Sequence, residues 1–465
     1  MSDNVLIQFL LAVHSICSAG TKIESSLNEL QTALDAAESD NHALYANIAN
    51  ALYRMAARNR TVLAFSRELL ARANKKCRRP QYVVDELRVA ISLEDLREVS
   101  AKVKELMSLD SDDPYATLGV TLSNLMSGKL SDASAQLTFM KEANPNISNF
   151  AIYHFASAVI AKYKDNSFDK FMQMINDAII SHFDKIQSMP FGVEYLRQLD
   201  SDFLMGIIYQ IMDYAPLIPM KSPNETLKTS ERLLNIIVDH SPGISQAYYL
   251  LARCLFLHSE WDAADRMIDQ CLQRNETVAD AYLLRAEIKL MKGQVADADS
   301  CLNTGLSFNF AIRESSIFHL IKAKVHKQKN ELEKAAELLK AGLKLPQKER
   351  SVNLLTKKEA ADAQRISIQL ELIDCLQSMK QMHEAERVME EAIAQWKGKP
   401  EEEQLLLMNA QIHIAKGDTD GALALLGTVQ PGQPNYHSAR MKMAEIYLEE
   451  KQDKTMFTMC YRSVF

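Results

Sequence analysis

The stretch AYYLLA at residues 247–252 recurs as AYLLRA at residues 281–286, 34 positions later. A further alanine follows each stretch twelve residues after its last alanine, at Ala264 and Ala298. Self-similarity at a fixed period of this length indicates a helical repeat array, whose units bury their apolar faces against one another. Small residues are needed where two helices approach most closely, because a larger side chain there would push the helices apart.

The period and the spacing of small residues are those of the tetratricopeptide repeat (TPR), a pair of antiparallel helices. The twelve-residue spacing continues downstream in three further pairs, Ala323 with Ala335, Ile373 with Ala385, and Ala410 with Ala422. Upstream the match is looser, although Thr121 and Ala133 keep the spacing. The sequence therefore predicts an all-α fold, an α-solenoid of TPR hairpins forming a right-handed superhelix.

The small number of turn-forming residues agrees with this prediction. The 465 residues include 14 glycines and 12 prolines, well below the average usage of about 12% for the two together. A sheet protein of this length needs many tight turns, and those turns depend on Gly and Pro. Gly293 and Gly417 each lie seven residues after the first small residue of a repeat, where the turn between its helices is expected.

Two stretches interrupt the repeat. Ile373 follows Ala323 by 50 residues, so about 16 residues are inserted near 345–362. We predict a polar loop there, followed by a lengthened helix, and such a loop should tolerate shortening. The second interruption is a proline-containing loop at 215–224, between predicted helices at 202–214 and 225–238.

The regularity of the repeats divides the chain into three predicted regions. Residues 1–110 form degenerate TPR-like hairpins, residues 111–240 form irregular TPR-like repeats with the loop at 215–224, and residues 241–465 form clear repeats with a truncated last repeat. The ends of a solenoid need polar caps. Because the first helix is apolar and the chain ends on Val464-Phe465, we expect a piece of a longer array.

Composition and charge argue against several classes of protein. The net charge of −7 argues against a nucleic-acid-binding domain, which usually carries a basic stripe. No apolar run approaches the roughly 18 residues of a membrane span. The seven cysteines are dispersed without a CxxC pair, which favours reduced thiols in the cytosol. The apolar stretch at residues 5–13 lacks a basic start and follows Asp3, so a buried helix is favoured over a secretory signal.

No catalytic motif occurs, and we predict no catalytic, cofactor-binding or metal-binding residue. The histidines at 154, 319 and 413 lie on helical patterns and are interpreted as packed or surface residues. Asp418 is interpreted as a helix N-cap rather than a calcium ligand, since the later ligands of a calcium loop are absent.

Two further features have a structural and a functional interpretation. The basic cluster at 75–79 (KKCRR) is explained by a helix C-terminus, where cations meet the negative end of the helix dipole. A patch for an anionic partner is the alternative. Trp261 and Trp396 lie at repeat boundaries, and we interpret them as packing anchors rather than parts of a ligand cage.

Four stretches that depart from the TPR consensus carry a family resemblance. They are SGKLSDA at 127–133, GDTDGALALL at 417–426, GQPNY at 432–436 and AEIYL at 444–448. The chain is similar to the tetratricopeptide repeat domain 21 family, the large TPR subunit of intraflagellar transport complex A. The resemblance extends through most of the chain and covers a central-to-late part of the longer family protein.

The resemblance implies a non-catalytic scaffold in the cytoplasm and the cilium, at the axoneme and the ciliary base. The implied partners are other complex A subunits and possible ciliary membrane cargo adaptors, with roles in retrograde transport and in delivery of membrane proteins to cilia. Nucleic acid and a direct membrane span are not expected. Two alternatives remain open: a TPR adaptor of another assembly, or the substrate-selecting region of an enzyme whose catalytic domain lies elsewhere.

Overall fold

The computed structural model describes residues 3–17, 23–37, 40–56, 59–110, 113–165, 167–184, 186–190, 195, 198–216, 219, 224–345, 353–355, 360–396, 402–429 and 436–462. Within these ranges every regular element is helical, with 24 α-helices and no strand. The predicted all-α helical-repeat class is therefore confirmed. No helix within the described ranges is long and apolar enough to cross a bilayer.

The first fourteen helices follow one another in the first part of the chain. They are α1 (Asp3–Cys17), α2 (Ile23–Ala37), α3 (His42–Ala56), α4 (Arg60–Lys76), α5 (Pro80–Ser92), α6 (Leu96–Leu109), α7 (Pro114–Met126), α8 (Leu130–Ala143), α9 (Ala151–Ile160), α10 (Phe168–Phe183), α11 (Ser201–Met212), α12 (Glu225–His240), α13 (Ser245–Leu257) and α14 (Trp261–Arg274). A 3-10 turn (Pro145–Asn149) precedes α9, and a π-helical turn (Ala161–Asp165) follows it.

Ten further helices complete the chain. They are α15 (Ala279–Met291), α16 (Val295–Phe308), α17 (Ser316–Gln328), α18 (Leu332–Lys344), α19 (Ala360–Ser378), α20 (Met382–Trp396), α21 (Glu402–Ala415), α22 (Thr419–Gly427), α23 (Tyr436–Glu449) and α24 (Lys454–Arg462). A 3-10 turn (Phe310–Glu314) lies between α16 and α17. The two helices predicted around the proline loop correspond to α11 and α12, while residues 217–218 and 220–223 of that loop lie outside the described residues.

The small residues that set the repeat register are buried where the register predicts. Ala264, Ala298, Ala323, Ala335 and Ala422 are all fully buried. Thr121 and Ala133, which keep the same spacing in the looser upstream region, are also fully buried. A position without room for a larger side chain is the physical origin of the repeated pattern.

The turn inside each repeat has a left-handed residue at one fixed place. Gly293 and Gly417, seven residues after the first small residue, have φ values of +75° and +81°. Glycine adopts this conformation without a steric penalty. At the equivalent place other repeats have Ser259, Asn330 and Lys380, also with positive φ. The chain therefore forms these turns with few glycines, which accounts for part of the shortage.

One hairpin in the first 110 residues keeps the repeat geometry although its sequence does not show it. Leu87 and Val99 are twelve residues apart and buried, and Glu94 has a φ of +60° seven residues after Leu87. Here Leu and Val replace the small residues and Glu replaces the glycine. The register was missed because it depends on these consensus residues, all of which are substituted.

The chain divides into two compact units. The first comprises residues 1–281 together with 348–358, and the second comprises residues 282–347 together with 359–465. The three predicted regions were defined by how regular the repeats are in sequence, whereas these two units are defined by packing. The three regions therefore stay a prediction.

The insert near 345–362 differs from the expected polar loop. Its last residues, 360–362, do extend a helix as predicted, since α19 begins at Ala360 and runs for 19 residues. However, Asn353–Leu355 belongs to the first unit, and the side chain of Leu355 is buried. The tolerance of this segment to shortening stays a prediction, and the buried Leu355 and its hydrogen bonds argue against it for Asn353–Leu355.

Within the first unit, the end of α1 lies against the turn before α13. A Cβ atom placed on Gly243 would lie 2.5 Å from the backbone oxygen of Ile16. Backbone atoms cannot swing aside as a flexible side chain does, so one of the two segments would have to move. Glycine at position 243 therefore allows two backbone segments more than 220 positions apart in sequence to pack closely.

We expect Gly243→Ala to destabilise the protein by about 1–3 kcal/mol, the usual cost of overpacking. Gly427→Ala is the matched control, because a Cβ atom there meets nothing within 4 Å. Urea unfolding followed by circular dichroism measures both variants. Equal stabilities for the two variants would show that α1 does not pack against this turn.

Candidate functional site

The first unit contains a partly open cavity of about 180 Å³ whose lining is mostly apolar and includes several charged side chains. Residues of α3, α5, α7, α9, α10 and α11 line it, and Asn353 and Leu355 of the insert close one side. Its charged lining residues are Arg54, Arg88, Asp200 and Asp202, and His182 lies beside them. An apolar cavity with a few converging polar groups is the default place to look for binding or catalysis.

The charges of the cavity are paired across elements that are distant in sequence. Arg54 Nη1 on α3 lies 2.6 Å from the Oδ2 atom of Asp200, the residue that caps α11. The Ser92 hydroxyl of α5 donates a hydrogen bond of 2.6 Å to Asp202 Oδ2 on α11. These two contacts join α3 and α5 to α11. Breaking either one would leave a buried charge without its partner, which is costly.

Arg88 joins this network from α5. Its Nη2 atom donates to the Tyr115 hydroxyl at 3.1 Å, its guanidinium carbon lies 5.1 Å from the centre of the Tyr115 ring, and its Nη1 atom is 3.6 Å from Asp85 Oδ1. Burial raises the pKa of Asp85 despite this contact. The planar guanidinium of Arg88 thus packs on the Tyr115 ring and contacts the Asp85 carboxylate at the same time. The ammonium group of a lysine lacks the planar shape that this requires.

Asp200 is held in its ionised form. Burial by itself would raise the pKa of Asp200, but the guanidinium groups of Arg54 and Arg88 outweigh it, together with the N–H of Phe203, which donates to Oδ1 at 3.1 Å. The pKa of Asp200 therefore lies below its ordinary value. A lowered pKa of a carboxyl group stabilises the fold above the ordinary Asp pKa of about 4, and this stabilisation is lost as pH falls through the folded-state value.

We expect Asp200→Asn to cost about 2 kcal/mol at pH 7, the range for hydrogen bonds to charged groups. The difference between variant and wild type should shrink as pH falls below about 4, because Asp200 of the unfolded chain then takes up a proton that folded Asp200, with its lowered pKa, does not. Urea unfolding between pH 3 and pH 7 measures this. A difference that stays constant over that range would show that the charge of Asp200 does not contribute.

The insert is held beside the cavity by bonds to its main chain. Gln210 of α11 is fully buried, and its Nε2 atom donates to the carbonyl oxygens of Leu354 at 3.1 Å and Leu355 at 2.9 Å. The Leu354 N–H donates in turn to the carbonyl oxygen of Leu125 on α7 at 3.1 Å. The segment therefore lies in a groove between α7 and α11, fixed by three hydrogen bonds.

A buried ion pair orients Gln210. Lys162, in the π-helical turn after α9, donates to Gln210 Oε1 at 3.0 Å and lies 2.6 Å from Asp213 Oδ2. The rings of Tyr163 and Tyr214 lie 5.0 and 5.4 Å from its ammonium nitrogen. With Oε1 bound to the ammonium group, the amide nitrogen is directed at the insert.

The geometry of the cavity does not match nucleophilic catalysis. The Ser92 hydroxyl donates to a carboxylate rather than to an imidazole, while His182 Nε2 accepts a hydrogen bond of 3.4 Å from the backbone N–H of Asp200. A serine nucleophile needs a general base within hydrogen-bond reach. The arrangement instead joins helices and holds a turn of the insert.

The cysteines are poor candidates for thiol chemistry as well. Burial raises the pKa of both Cys254 and Cys271 to about 12, and that of Cys375 to about 11. The nucleophile in cysteine chemistry is the thiolate. At neutral pH these three side chains are protonated and act as small apolar residues.

The three histidines and Asp418, which were discussed in the sequence analysis, form hydrogen bonds with residues close to them in the chain. His154, His319 and His413 each hydrogen-bond a residue five or six positions away, namely Ser148, Arg313 and Asp418. Asp418 caps α22 by accepting from the N–H of Gly421 at 2.9 Å, which confirms the N-cap.

Lys76 of the basic cluster and Trp396 make structural contacts. Lys76 ends α4 and lies 2.6 Å from Asp40, as expected of cations at a helix C-terminus. Trp396 is fully buried, and its indole N–H donates to Gln369 Oε1 at 2.7 Å, so it is a packing anchor as predicted. Trp261 is only half-buried.

None of the cavity residues was identified from the sequence. A weak signal exists for Lys162, which directly follows the apolar run Ala158–Ala161. A charge at a core position usually has a buried partner. Neither Asp213 nor Gln210 could be matched to it, because no periodic relation connects residues some 50 positions apart.

Two models of one protein family match nearly the whole chain. A family model described as "Tetratricopeptide repeat protein 21 second ARM domain" matches residues 25–293, and one described as "Tetratricopeptide repeat protein 21 ARM repeat" matches residues 310–464. The chain is 44% identical to the tetratricopeptide repeat protein 21 homolog of Caenorhabditis briggsae, over 99% of the chain and 35% of that protein. It is 31% identical to human tetratricopeptide repeat protein 21B, over 100% of the chain and 36% of that protein.

Solved structures align with the chain at low similarity. Yeast Tom70 aligns over 91% of this chain and 95% of its own chain, with 14% identity and a TM-score of 0.37. Likeness at this level concerns the helical-repeat class alone. The chain spans about a third of the length of the curated relatives it matches.

Proposed function

The chain belongs to the tetratricopeptide repeat protein 21 family, and from this premise we propose that it is part of a non-catalytic scaffold subunit of intraflagellar transport complex A. The observation that carries the proposal is the family match over almost the whole chain. In this role the chain binds other complex A subunits, serves retrograde transport in the cilium, and assists delivery of membrane proteins to cilia.

The structure supports a binding role in a more general way. A helical-repeat array offers long surfaces for other polypeptides, and the first unit holds a turn of the insert by hydrogen bonds to its main chain. The charged groups of its cavity are engaged in contacts that join α3 and α5 to α11. We therefore propose protein binding rather than catalysis, with adaptors of ciliary membrane cargo as further partners.

Affinity purification of the full-length protein, tagged at its own locus in ciliated cells, tests this proposal. Recovery of the other complex A subunits is the expected result, with the tagged protein at the ciliary base and along the axoneme. Ala298→Arg, which disrupts the second unit, should reduce the recovery, and Ala296→Arg on the exposed face of the same helix should leave it unchanged.

Other outcomes favour the alternatives. An abundant tagged protein that consistently lacks complex A subunits and recovers another set of proteins would identify it as an adaptor of a different assembly. A catalytic domain encoded elsewhere in the full-length transcript would favour a substrate-selecting role.

A further inference from the structure

The cavity of the first unit is rich in aromatic side chains. Five rings lie in its wall, those of Tyr53, Tyr115, Phe150, Phe155 and Phe203. We propose that this cavity binds a neutral, single-ring aromatic compound that carries a hydroxyl group, that is, a phenol. A free phenolic compound and the tyrosine side chain of a partner protein share this chemistry. The inference concerns the first unit alone and does not rest on the ciliary assignment.

The volume of the cavity fits one ring. It is about 180 Å³, and a protein cavity of roughly 150 Å³ lined by apolar side chains binds benzene. The difference of about 30 Å³ is the volume that one water molecule occupies in the liquid. A ring with one small substituent therefore fits, and a compound with two rings does not.

The aromatic lining favours a flat ring over an aliphatic one. Tyr115 and Phe150 meet edge to face, with ring centres 5.6 Å apart, and Phe155 and Phe203 do the same at 5.7 Å. Aromatic rings attract one another in such arrangements beyond the contribution of their buried area. A ligand ring forms these contacts with the wall, whereas an aliphatic ring of the same size does not.

The charged groups of the lining favour a neutral ligand. Arg54 is paired with Asp200, Asp202 accepts from Ser92, and Arg88 is engaged with side chains of α5 and α7. The two arginines and two aspartates of the lining balance in charge. An ionised ligand would add a charge without a partner to a largely buried site, which is costly.

A hydroxyl group on the ring finds hydrogen-bonding partners in the same wall. Asp202 is only 8% exposed and accepts from the Ser92 hydroxyl at 2.6 Å. An ionised carboxylate accepts up to about four hydrogen bonds, so this one bond does not exhaust it. A guanidinium group has five N–H donors, and Arg54 and Arg88 lie in the same lining. Acceptors and donors for a phenolic O–H are thus both present.

The insert supplies part of the wall, which links binding to its position. Asn353 and Leu355 both line the cavity, and the Leu355 N–H donates to the Asn353 side-chain oxygen at 3.0 Å, which closes the turn. A ligand that contacts this turn binds better when the turn is docked. By linkage, the bound ligand stabilises the docked turn.

A ligand-observed experiment on the 465-residue chain tests the proposal. The probe is para-fluorophenol, whose fluorine NMR line broadens on binding, and we expect saturable binding that phenol reverses. Cyclohexanol lacks the aromatic ring, benzoate carries a charge, and toluene has a methyl group in place of the hydroxyl. Each should compete at least about fivefold more weakly than phenol. A folded chain without saturable binding, or equal competition by any of the three, would overturn the proposal.

Two matched substitutions locate the site. Ala151→Trp introduces an indole group at the cavity wall, at the start of α9. It should weaken binding of para-fluorophenol at least about tenfold, because the indole takes the space of the ligand. Ala135→Trp on the exposed face of α8 should leave binding unchanged. Unchanged binding by a folded Ala151→Trp variant would place the bound ring elsewhere and contradict the proposal.

Hydrogen exchange gives an independent measurement on the wild-type chain. Saturating phenol should slow exchange of the Leu354 amide severalfold, since its N–H donates to the Leu125 carbonyl oxygen while the insert is docked. The Ala298 amide in the second unit should exchange at the same rate with and without phenol. Unchanged exchange at Leu354 would show that the ring does not bind beside the insert.

Capped tyrosine distinguishes the two sources of the ring. N-acetyl-tyrosinamide carries the phenol group on a peptide backbone. Competition by both phenol and the capped tyrosine would assign the cavity to a tyrosine side chain of a partner protein. Competition by phenol alone would assign it to a free compound, because the opening then excludes a backbone. Failure of both to compete would overturn the proposal.

Discussion

Replacing Ala298 with arginine is expected to destabilise the second unit by at least about 3–5 kcal/mol, the range for large core disruptions. Ala298 on α16 is fully buried. One face of the same helix lies very close to α15: a Cβ atom on Gly305, seven residues further on, would lie 2.9 Å from Tyr282 Cβ. A guanidinium group at position 298 has no room, and burial without a partner adds the cost of removing a charge from water.

Ala296→Arg is the matched control, since it makes the same substitution two residues away on the exposed face of α16. Its effect should stay within about 0.5 kcal/mol, as usual for surface positions. Thermal and urea unfolding distinguish the two variants. Equal stabilities would mean that the repeat register assigned to α16 is wrong.

Lys162→Met is expected to have the second large effect, because it removes one member of a buried ion pair. The side chains of Lys162 and Asp213 are only 3% and 9% exposed. Removing one partner of a buried pair typically costs about 3–5 kcal/mol, since the remaining charge stays in the interior. Gln210 also loses the donor that fixes its orientation.

The double variant Lys162→Met/Asp213→Leu separates the two causes. Replacing both charges with apolar groups removes the uncompensated charge, so the double variant should be more stable than Lys162→Met alone. Lys164→Met is the control, because Lys164 is exposed and donates to Ser134.

Hydrogen exchange reports on the consequence for the insert. In Lys162→Met the amide of Leu354 should lose protection, because its segment depends on the orientation of Gln210. A loss of less than about 1 kcal/mol together with full protection of Leu354 would show that the ion pair does not support the groove.

The repeat architecture could be predicted because it depends on local spacing. The close approach of two helices in a hairpin is decided by residues twelve positions apart, such as Ala323 and Ala335, and the turn by a residue between them. Where Leu87, Glu94 and Val99 replace the consensus residues, the same geometry persists without the sequence signal. Prediction failed there because packing accepts several residue types and the consensus describes only some of them.

The candidate site could not be predicted because its members have no fixed spacing. Arg54 and Asp200 are 146 positions apart, and Gln210 and Leu355 are 145 apart. The polar composition around the insert suggested a solvent loop, yet the buried side chain of Leu355 and three main-chain bonds place part of it in a core.

The sequence by itself determined the helical hairpins, their turns and their family, because each of these depends on contacts between residues near one another in the chain. Only the tertiary structure decided which charges meet in the first unit and where the insert lies. Those contacts arise when helices far apart in sequence are brought together, and burial then selects partners by charge and hydrogen-bonding capacity, which leaves no periodic trace in the sequence.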